Sequence, residues 1–513
     1  MSRPCIYIVG AGPGDPSLIS VRGQRWLQAA DVVVYDHRVH ARLLRLARAD
    51  AERIDVGPAA PKPLDQDAIC FLLAEKAREG RTVVRLKWGD PFVFDSGGKE
   101  ALFLHEQGVP FEVVPGIPAA LGGAAYAGVP ITYPGAGDVL TLVRGHEGET
   151  DTPPQVDWAR LAGVGGTLAC YAGAKQIGAI TAALQSHGRN ADESAALIYE
   201  GTTPSQRTIT GTLGDIANQA RDGAAALLIV GAVVGLREHL RWFDERPLFG
   251  KRIVVTRSRE QAGELIEMLE ERGAEAIFAP TIQIAPPEDL AALDHACLEA
   301  GTFDWIILTS ANAVDHFMAR LLATGDVRDL KGVRICTVGP STASRFSRYG
   351  IRVDLTPEEY RAEAVADALR EEGRLAGTRF LLPHADIARE LLADELRAGG
   401  AEVVEVVAYR TVLGAPDRDG DHDVYRMLLD RQIAAVTFTS ASSVRNFATI
   451  FGQEQAADLL STTVVACIGP VTAEAAQQLD IDTTVMPKRY TIPDLVDALV
   501  DHFSKAEEPE PTR

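Results

Sequence analysis

"YIVGAGPGDPSLIS", residues 7–20, sets Gly10, Gly12 and Gly14 between an apolar run and a segment rich in helix formers. A strand, a glycine turn and a helix make the opening unit of an α/β layer, so this stretch decides the fold class of what surrounds it. A dinucleotide fingerprint needs G-x-G-x-x-G and a helix start free of negative charge. The chain instead reads GAGPGD, where Asp15 stands in the phosphate position, Pro13 stiffens the turn and no P-loop lysine follows. The glycines still demand close backbone approach, which suits a neutral or cationic ligand. Asp15 before Pro16 also fits a helix N-cap with proline at the first helical position.

Further along, β-rich runs such as "DVVVYD", "TVVRLKWGD" and "FEVVPG" alternate with helical stretches such as "DQDAICFLLAEKAREG". This alternation predicts α/β units with a largely parallel sheet. "REHLRWFDERPLFGKRIVVTRSREQ" interrupts it with charge, a proline and a glycine, placing the main boundary near residue 247. Beyond that point the sequence echoes itself: "FDWIILTSANAVDHF" matches "IAAVTFTSASSVRNF", and "ICTVGPSTA" matches "VACIGPVTA". Ser310 and Gly339 are 29 positions apart, as are Ser440 and Gly469. The repeat implies two similar lobes. "FAPTIQIAP" and "VVEVVAYRTV" bracket the first copy, so the chain is expected to cross into the second lobe near 281 and return near 410.

A length of 513 residues exceeds what one core supports. With 46% hydrophobic and 24% charged residues the composition is that of a globular protein. No apolar run reaches the ~20 residues that span a bilayer, and the N-terminus enters a strand without signal-peptide character, so a cytoplasmic address is expected. The net charge of −20 argues against nucleic-acid partners, and an acidic ligand would need local basic pockets. Cys5, Cys70, Cys170, Cys297, Cys336 and Cys467 lie far apart and read as reduced core thiols, with no metal site expected.

The ordered segments "GAGPGDPSLISVRG", "ADVVVYD", "RLKWGDPFVFDSGG", "PFEVVPGI", "AYAGVPIT", "YEGTTPSQRTITGTL" and "LLIVGAVVGLRE" resemble the tetrapyrrole methylases, most closely uroporphyrinogen-III C-methyltransferase. The paired TSA and GP motifs, with "VTRSREQAGEL" and "AYRT", resemble uroporphyrinogen-III synthase. The resemblance implies a two-lobed α/β methylase over 1–246, then a two-lobed α/β synthase over 247–513. The synthase lobes, 250–280 with 412–504 and 284–408, would be joined by two crossing strands. It further implies S-adenosylmethionine in the methylase cleft, against Pro13, Trp88, Gly89, Asp90, Val93, Pro118, Ala119, Ala172 and Gly201, with Asp90 facing its ammonium or ribose. "GDPF" taken alone is a tight turn. Asp36 matches the family's proposed acid/base, and its alternative role is a strand-end carboxylate capping a turn.

Three departures from the family pattern bear on the substrate. Pro58 replaces a lysine, with Lys62 near but unaligned; Trp88 replaces a glycine; Tyr133 and Pro134 replace His and Arg. Losing a cation weakens the hold on a polycarboxylate unless Arg22, Arg38, Lys99 or Arg144 compensates. In the second half Thr309, Ser310, Ser341, Thr342, Thr439, Ser440, Ser442 and Thr472 occupy turns at helix starts, where free N–H groups suit carboxylates. For any one of them taken alone, capping is the better reading. Arg257, His384 and Arg389 would add positive charge, and Tyr409 matches a family tyrosine suggested to assist hydroxyl departure.

The implied enzyme cyclises hydroxymethylbilane to uroporphyrinogen III and methylates it at C2 and C7 to precorrin-2, for sirohaem or cobalamin. Two alternatives stay open: a synthase fused to a methylase for another tetrapyrrole, or one half acting only as a binding module. Partners are expected to be small tetrapyrroles, with a homodimer through the methylase half and no membrane. Without a further GxGxxG fingerprint, precorrin-2 oxidation and iron insertion are expected elsewhere.

Overall fold

Apolar runs that can be covered on both faces become the central strands of parallel layers. Ile6–Gly10 (β1) and Val83–Lys87 (β4) are buried along their whole length. With Val32–Tyr35 (β2), Glu52–Asp55 (β3) and Phe111–Val114 (β5) they form a five-stranded parallel sheet of order β3-β2-β4-β1-β5. The structure, a computed structural model, describes residues 6–507 except 59, 61–62, 146–155, 174, 222–223, 358–361, 374, 387–390 and 414–422.

Leu140–Arg144 (β6), Thr167–Ala172 (β7), Ser194–Tyr199 (β8), Arg207–Thr212 (β9) and Ala226–Val230 (β10) build a second sheet, ordered β6-β7-β10-β8-β9. Here the expectation of a largely parallel sheet fails. β6 and β7 run parallel, whereas β10 is antiparallel to β7 and β8, and β8 to β9. A buried apolar strand reads the same in either direction, and the short link from β8 to β9 leaves no length for a parallel crossover.

After Arg252–Val255 (β11) and Glu275–Phe278 (β12) the chain leaves along Ile282–Ala285 (β13) and lays down Trp305–Leu308 (β14), Arg334–Thr337 (β15) and Arg379–Ala385 (β16). It returns along Glu402–Leu413 (β17) and finishes with Ala435–Phe438 (β18) and Val464–Cys467 (β19). Strands β12-β11-β18-β19 form a parallel sheet; β13-β17-β16-β14-β15 form another, with β13 antiparallel to β17. Ile282 pairs with Leu413 and Ala285 with Arg410, so the outgoing and returning segments lie side by side where the bracketing sequence predicts a crossing.

The internal echo places one copy in each of these two sheets. Ser310 caps the helix Ala311–Thr324 and Ser440 caps Ala441–Phe451, each accepting a backbone N–H at 3.1 Å, from Ala313 and Ser443 respectively. Pro340 and Pro470 then open the helices after β15 and β19. The same short motif solves the same strand-to-helix turn twice.

Among the described residues, no helix is long and apolar enough to cross a membrane. Cys70, Cys170, Cys297, Cys336 and Cys467 are buried free thiols; Cys5 lies outside the described residues. Burial pushes Cys170, Cys297 and Cys336 up to about 12. Because the thiolate is the nucleophile, these three should resist alkylation at pH 8 in the native protein and react readily in denaturant. Mass mapping after timed iodoacetamide treatment checks this, and rapid native labelling at any of them contradicts the packing.

Candidate active sites

Three turns meet where β4, β1 and β5 end. A Cβ built on Gly10 would lie 2.5 Å from the Gly116 backbone and 2.6 Å from the Gly89 oxygen; one on Gly116 would lie 2.1 Å from that oxygen. Only bare backbone fits at this junction. Gly12 N–H donates to Gly89 O at 3.2 Å, and Gly89 N–H donates to Gly12 O at 2.8 Å. The Asp90 carboxylate accepts Phe92 N–H at 2.8 Å and Gly116 N–H at 3.0 Å, tying the same turns together. Two of its roughly four lone-pair positions are thereby occupied, so it shapes the wall and can still accept from a ligand. The Trp88 indole N–H donates to Pro13 O at 3.1 Å, and the Arg38 guanidinium lies 5.5 Å from the centroid of the Trp88 ring.

The opposite side comes from the second sheet and its loops. Tyr171 OH accepts Ala120 N–H at 2.9 Å, and Thr202 Oγ1 accepts Asp15 N–H at 3.0 Å. Asp15 does cap the short 3-10 turn Pro16–Leu18, accepting Ser17 N–H at 2.8 Å, and it also accepts the Tyr126 hydroxyl at 2.8 Å. Burial, reinforced by Asp15, raises the Tyr126 pKa well above the usual phenol range.

Between these walls opens a cleft, outside the carboxyl ends of the strands, where open α/β sheets bind ligands; with its extension toward the second half of the chain it measures about 1790 Å³. Pro13, Trp88, Gly89, Asp90, Val93, Pro118, Ala119, Ala172 and Gly201 all line it, as do Asp36 and Pro58. At Gly89 (φ +70°) a Cβ would meet no atom within 4 Å, so naked backbone faces the open space. Such a lining fits a ligand gripped mainly by main-chain groups.

Asp36 is anchored by a buried charge cluster. Arg85 and Lys87 of β4 are 1% exposed, and Glu100 of the helix Gly97–Glu106 is fully buried. Arg85 pairs with Asp36 and donates to Glu100 at 3.1 Å. Lys87 donates to Glu100 at 3.2 Å and Ser96 at 3.0 Å, and its ammonium lies 3.1 Å from Asp95 and 3.9 Å from Asp36. Trp88 N–H also reaches Asp36, at 3.3 Å. Burial opposes the charge on Arg85, but Asp36 and Glu100 outweigh it and raise its pKa; burial raises that of Asp95 against the pull of Lys87. The available signal was "VVRLK": cations two apart share a strand face, and a buried charge demands partners.

Of the cations considered for an acidic substrate, Arg38 and Arg144 line the cleft. Arg22 instead pairs with Glu112 on the surface, and Lys99 is exposed outside the cleft, because its helix turns Glu100 inward in its place. Tyr133 bonds back to Gly137 in a turn, and neither it nor Pro134 lines the cleft. Arg42, Arg45 and Arg246, not foreseen, do line it. Lys62 and Arg389 lie outside the described residues.

None of the synthase candidates lines this cleft; they gather at the strand ends of the last two sheets. The Tyr409 hydroxyl lies 3.1 Å from Ser310 Oγ, and the His316 ring stacks on Tyr409 with centroids 5.8 Å apart. Thr309 is exposed beside Ser310, and Thr439 and Ser440, with Ser442 at 3.0 Å from Ser440, occupy the matching turn after β18. Thr342 and Thr472 are only 4% exposed, and Ser341 belongs to the helix Pro340–Ser347. Arg257 donates to Gln261 at 3.1 Å, and burial lowers its pKa. His384 is one of the residues expected to add positive charge to the synthase cleft. It shares a sheet face with Phe380 and Leu382, 3.9 Å from Glu405, whereas Tyr409 packs with Leu381 on the other face. Alternation along β16 sends neighbouring side chains to opposite sides.

Residues 5–217 match the family model described as Tetrapyrrole (Corrin/Porphyrin) Methylases, and residues 263–497 that of Uroporphyrinogen-III synthase HemD. The chain is 35% identical to the Porphyrin biosynthesis protein HemD of Ruminiclostridium josui over 98% of both proteins. It is 46% identical to a siroheme synthase of Pseudomonas fluorescens (strain SBW25) over 47% of this chain and 52% of that one, and so spans about half of that relative's length. Among solved structures, the native form of uroporphyrin III C-methyl transferase from Thermus thermophilus is 38% identical over 45% of this chain and 99% of its own, with a TM-score of 0.40.

The glycine junction is testable by itself. Gly116→Ala drives a methyl group into backbone and should destabilise the fold by about 1–3 kcal/mol, the usual cost of overpacking. Gly89→Ala, open but left-handed, should cost only about 1–2 kcal/mol. Urea melts of the two variants give the comparison; a Gly116→Ala protein as stable as wild type would contradict the contact.

Proposed function

We infer what this chain does from what it is: it belongs to the porphyrin-biosynthesis HemD proteins, joining a tetrapyrrole methylase to a uroporphyrinogen-III synthase, and it is an enzyme with both activities. The finer reading is that residues 247–513 cyclise hydroxymethylbilane to uroporphyrinogen III. Residues 1–246 then methylate it at C2 and C7, giving precorrin-2 for sirohaem or cobalamin. The observation that carries the methylase half is convergence: nine residues from five separate segments reach one cleft, with Asp36 on its wall.

S-adenosylmethionine, when bound there, supplies the methyl group. Pro13, Trp88, Gly89, Asp90, Val93, Pro118, Ala119, Ala172 and Gly201 would hold that cofactor, and positioning supplies most of the acceleration in a bimolecular transfer. Methyl transfer to a substituted pyrrole carbon, which bears no hydrogen, leaves a cationic ring system that must lose a proton from another position of the macrocycle. Asp36, oriented by Arg85 and the Trp88 N–H, is placed to accept it.

In the synthase half, ring closure releases a hydroxyl and needs control of the folded shape of an acidic open chain. Tyr409, braced by Ser310, is placed to donate a proton to the departing hydroxyl. Thr309, Ser310, Thr439 and Ser440, at helix starts, offer hydroxyls and N–H groups to substrate carboxylates.

Purified protein given hydroxymethylbilane and S-adenosylmethionine should yield a doubly methylated product, and uroporphyrinogen III alone when the methyl donor is withheld. Asp36→Asn should abolish methylation and keep cyclisation, as followed by chromatography of the products; equal loss of both would point to misfolding. Tyr409→Phe should slow cyclisation roughly 10²-fold, the lower range for loss of a general acid, with unchanged affinity for the methyl donor. Persistent accumulation of unmethylated uroporphyrinogen III with donor present would overturn the bifunctional reading.

A further inference from the structure

The cleft does not end at the methylase. Its far side is closed by Ile266 and Glu270 of the helix Arg259–Glu271 and by Phe278 at the end of β12, all from the synthase half. At about 1790 Å³ it exceeds the ~300–1,000 Å³ typical of a pocket for one small ligand, leaving space beside the cradle described above.

Arginines of the methylase face this second wall. Arg42 pairs with Glu270, and the Arg45 guanidinium lies 5.7 Å from the Phe278 ring centroid. Arg246 donates to the Glu270 carbonyl at 3.3 Å and lies over Phe243, and Arg38 lies over Trp88. Guanidinium groups alternating with aromatic faces suit a ligand whose apolar rings carry carboxylates around the rim. Arg42 keeps 42% of its side chain exposed and Glu270 32%, so water reaches the pair and screens it. Burial also raises the pKa of Glu270 against the pull of Arg42, with Asp15 and Glu267 adding to the rise.

Resting on the methylase reading above, we propose that uroporphyrinogen III is held for methylation in a compartment shared by both halves. The methylase supplies the arginines and the synthase helix Arg259–Glu271 supplies the facing wall. The cyclised product of one half is then bound for the next reaction against residues of both.

Gly263 gives a clean probe. It lies on that helix, lines the same cleft, is exposed, and a Cβ there would meet no atom within 4 Å. Gly263→Glu and Gly263→Lys therefore place opposite charges in the compartment without displacing packed atoms. With saturating S-adenosylmethionine, Gly263→Glu should raise the KM for added uroporphyrinogen III about three- to tenfold at low salt, and Gly263→Lys should lower it. The difference should shrink in ~1 M salt. The Kd for S-adenosylhomocysteine, measured by calorimetry, should stay at the wild-type value in both. Gly163→Glu, at an open position outside the cleft, controls for net charge and should leave KM unmoved. Wild-type KM in both Gly263 variants, with methylation intact, overturns the shared compartment alone. A wild-type enzyme that methylates no uroporphyrinogen III overturns the functional reading beneath it.

Discussion

Backbone touches backbone at Gly10, Gly89 and Gly116 with no side chain between, and the methylase cleft takes its shape from that contact. Three neighbouring parallel strands are drawn together at their carboxyl ends, so their loops must fan outward and leave a concavity above them. Asp90 then fastens the outer turns through two backbone N–H groups, and Trp88 reaches across to Pro13. Each later feature of the site uses a position that this junction sets. A methyl group at Gly10 or Gly116 would part the strands before it touched any ligand.

Beneath the cleft floor, Arg85, Lys87 and Glu100 are sealed from water. Taking such charges out of water costs several kcal/mol each, recovered only where geometry and partners are good. Among the described residues Glu100 Oε2 has no hydrogen-bond partner, so the cluster is not optimised for stability. What it secures is direction. Arg85 holds Asp36 at the end of β2 while Lys87 binds Asp95 and Ser96 in the loop beyond Trp88. The two segments thus share one ionic foundation.

The second half reaches its chemistry by a different route, with one strand-turn-helix module used twice and two antiparallel crossing strands to connect the copies. Capping serines give both copies the same helix start, and the long β17 carries Tyr409 back to Ser310 of the first copy. A register shift between His384 and Ala385 lets Ala385 face Tyr409 across the ladder. Arg42, Glu270, Arg45 and Phe278 then link this half to the methylase cleft.

Local order was legible in the sequence because it depends on nearest neighbours: glycine turns, Ser and Asp caps, the echoed motifs and the crossing segments all follow from residues a few positions apart. The nine residues that the family resemblance assigned to a cofactor all border one cleft. Strand direction in the second sheet was not legible, because a doubly buried strand is apolar whichever way it runs. Nor was the side of the sheet that His384 occupies, which depends on which helix covers each face. The Arg85–Glu100–Lys87 cluster and the arginines facing Glu270 join segments remote in sequence, some across the two halves. The sequence by itself determined the modules and their chemistry; only tertiary packing decided which charges were buried together, because burial and partner choice arise when distant surfaces close on one another.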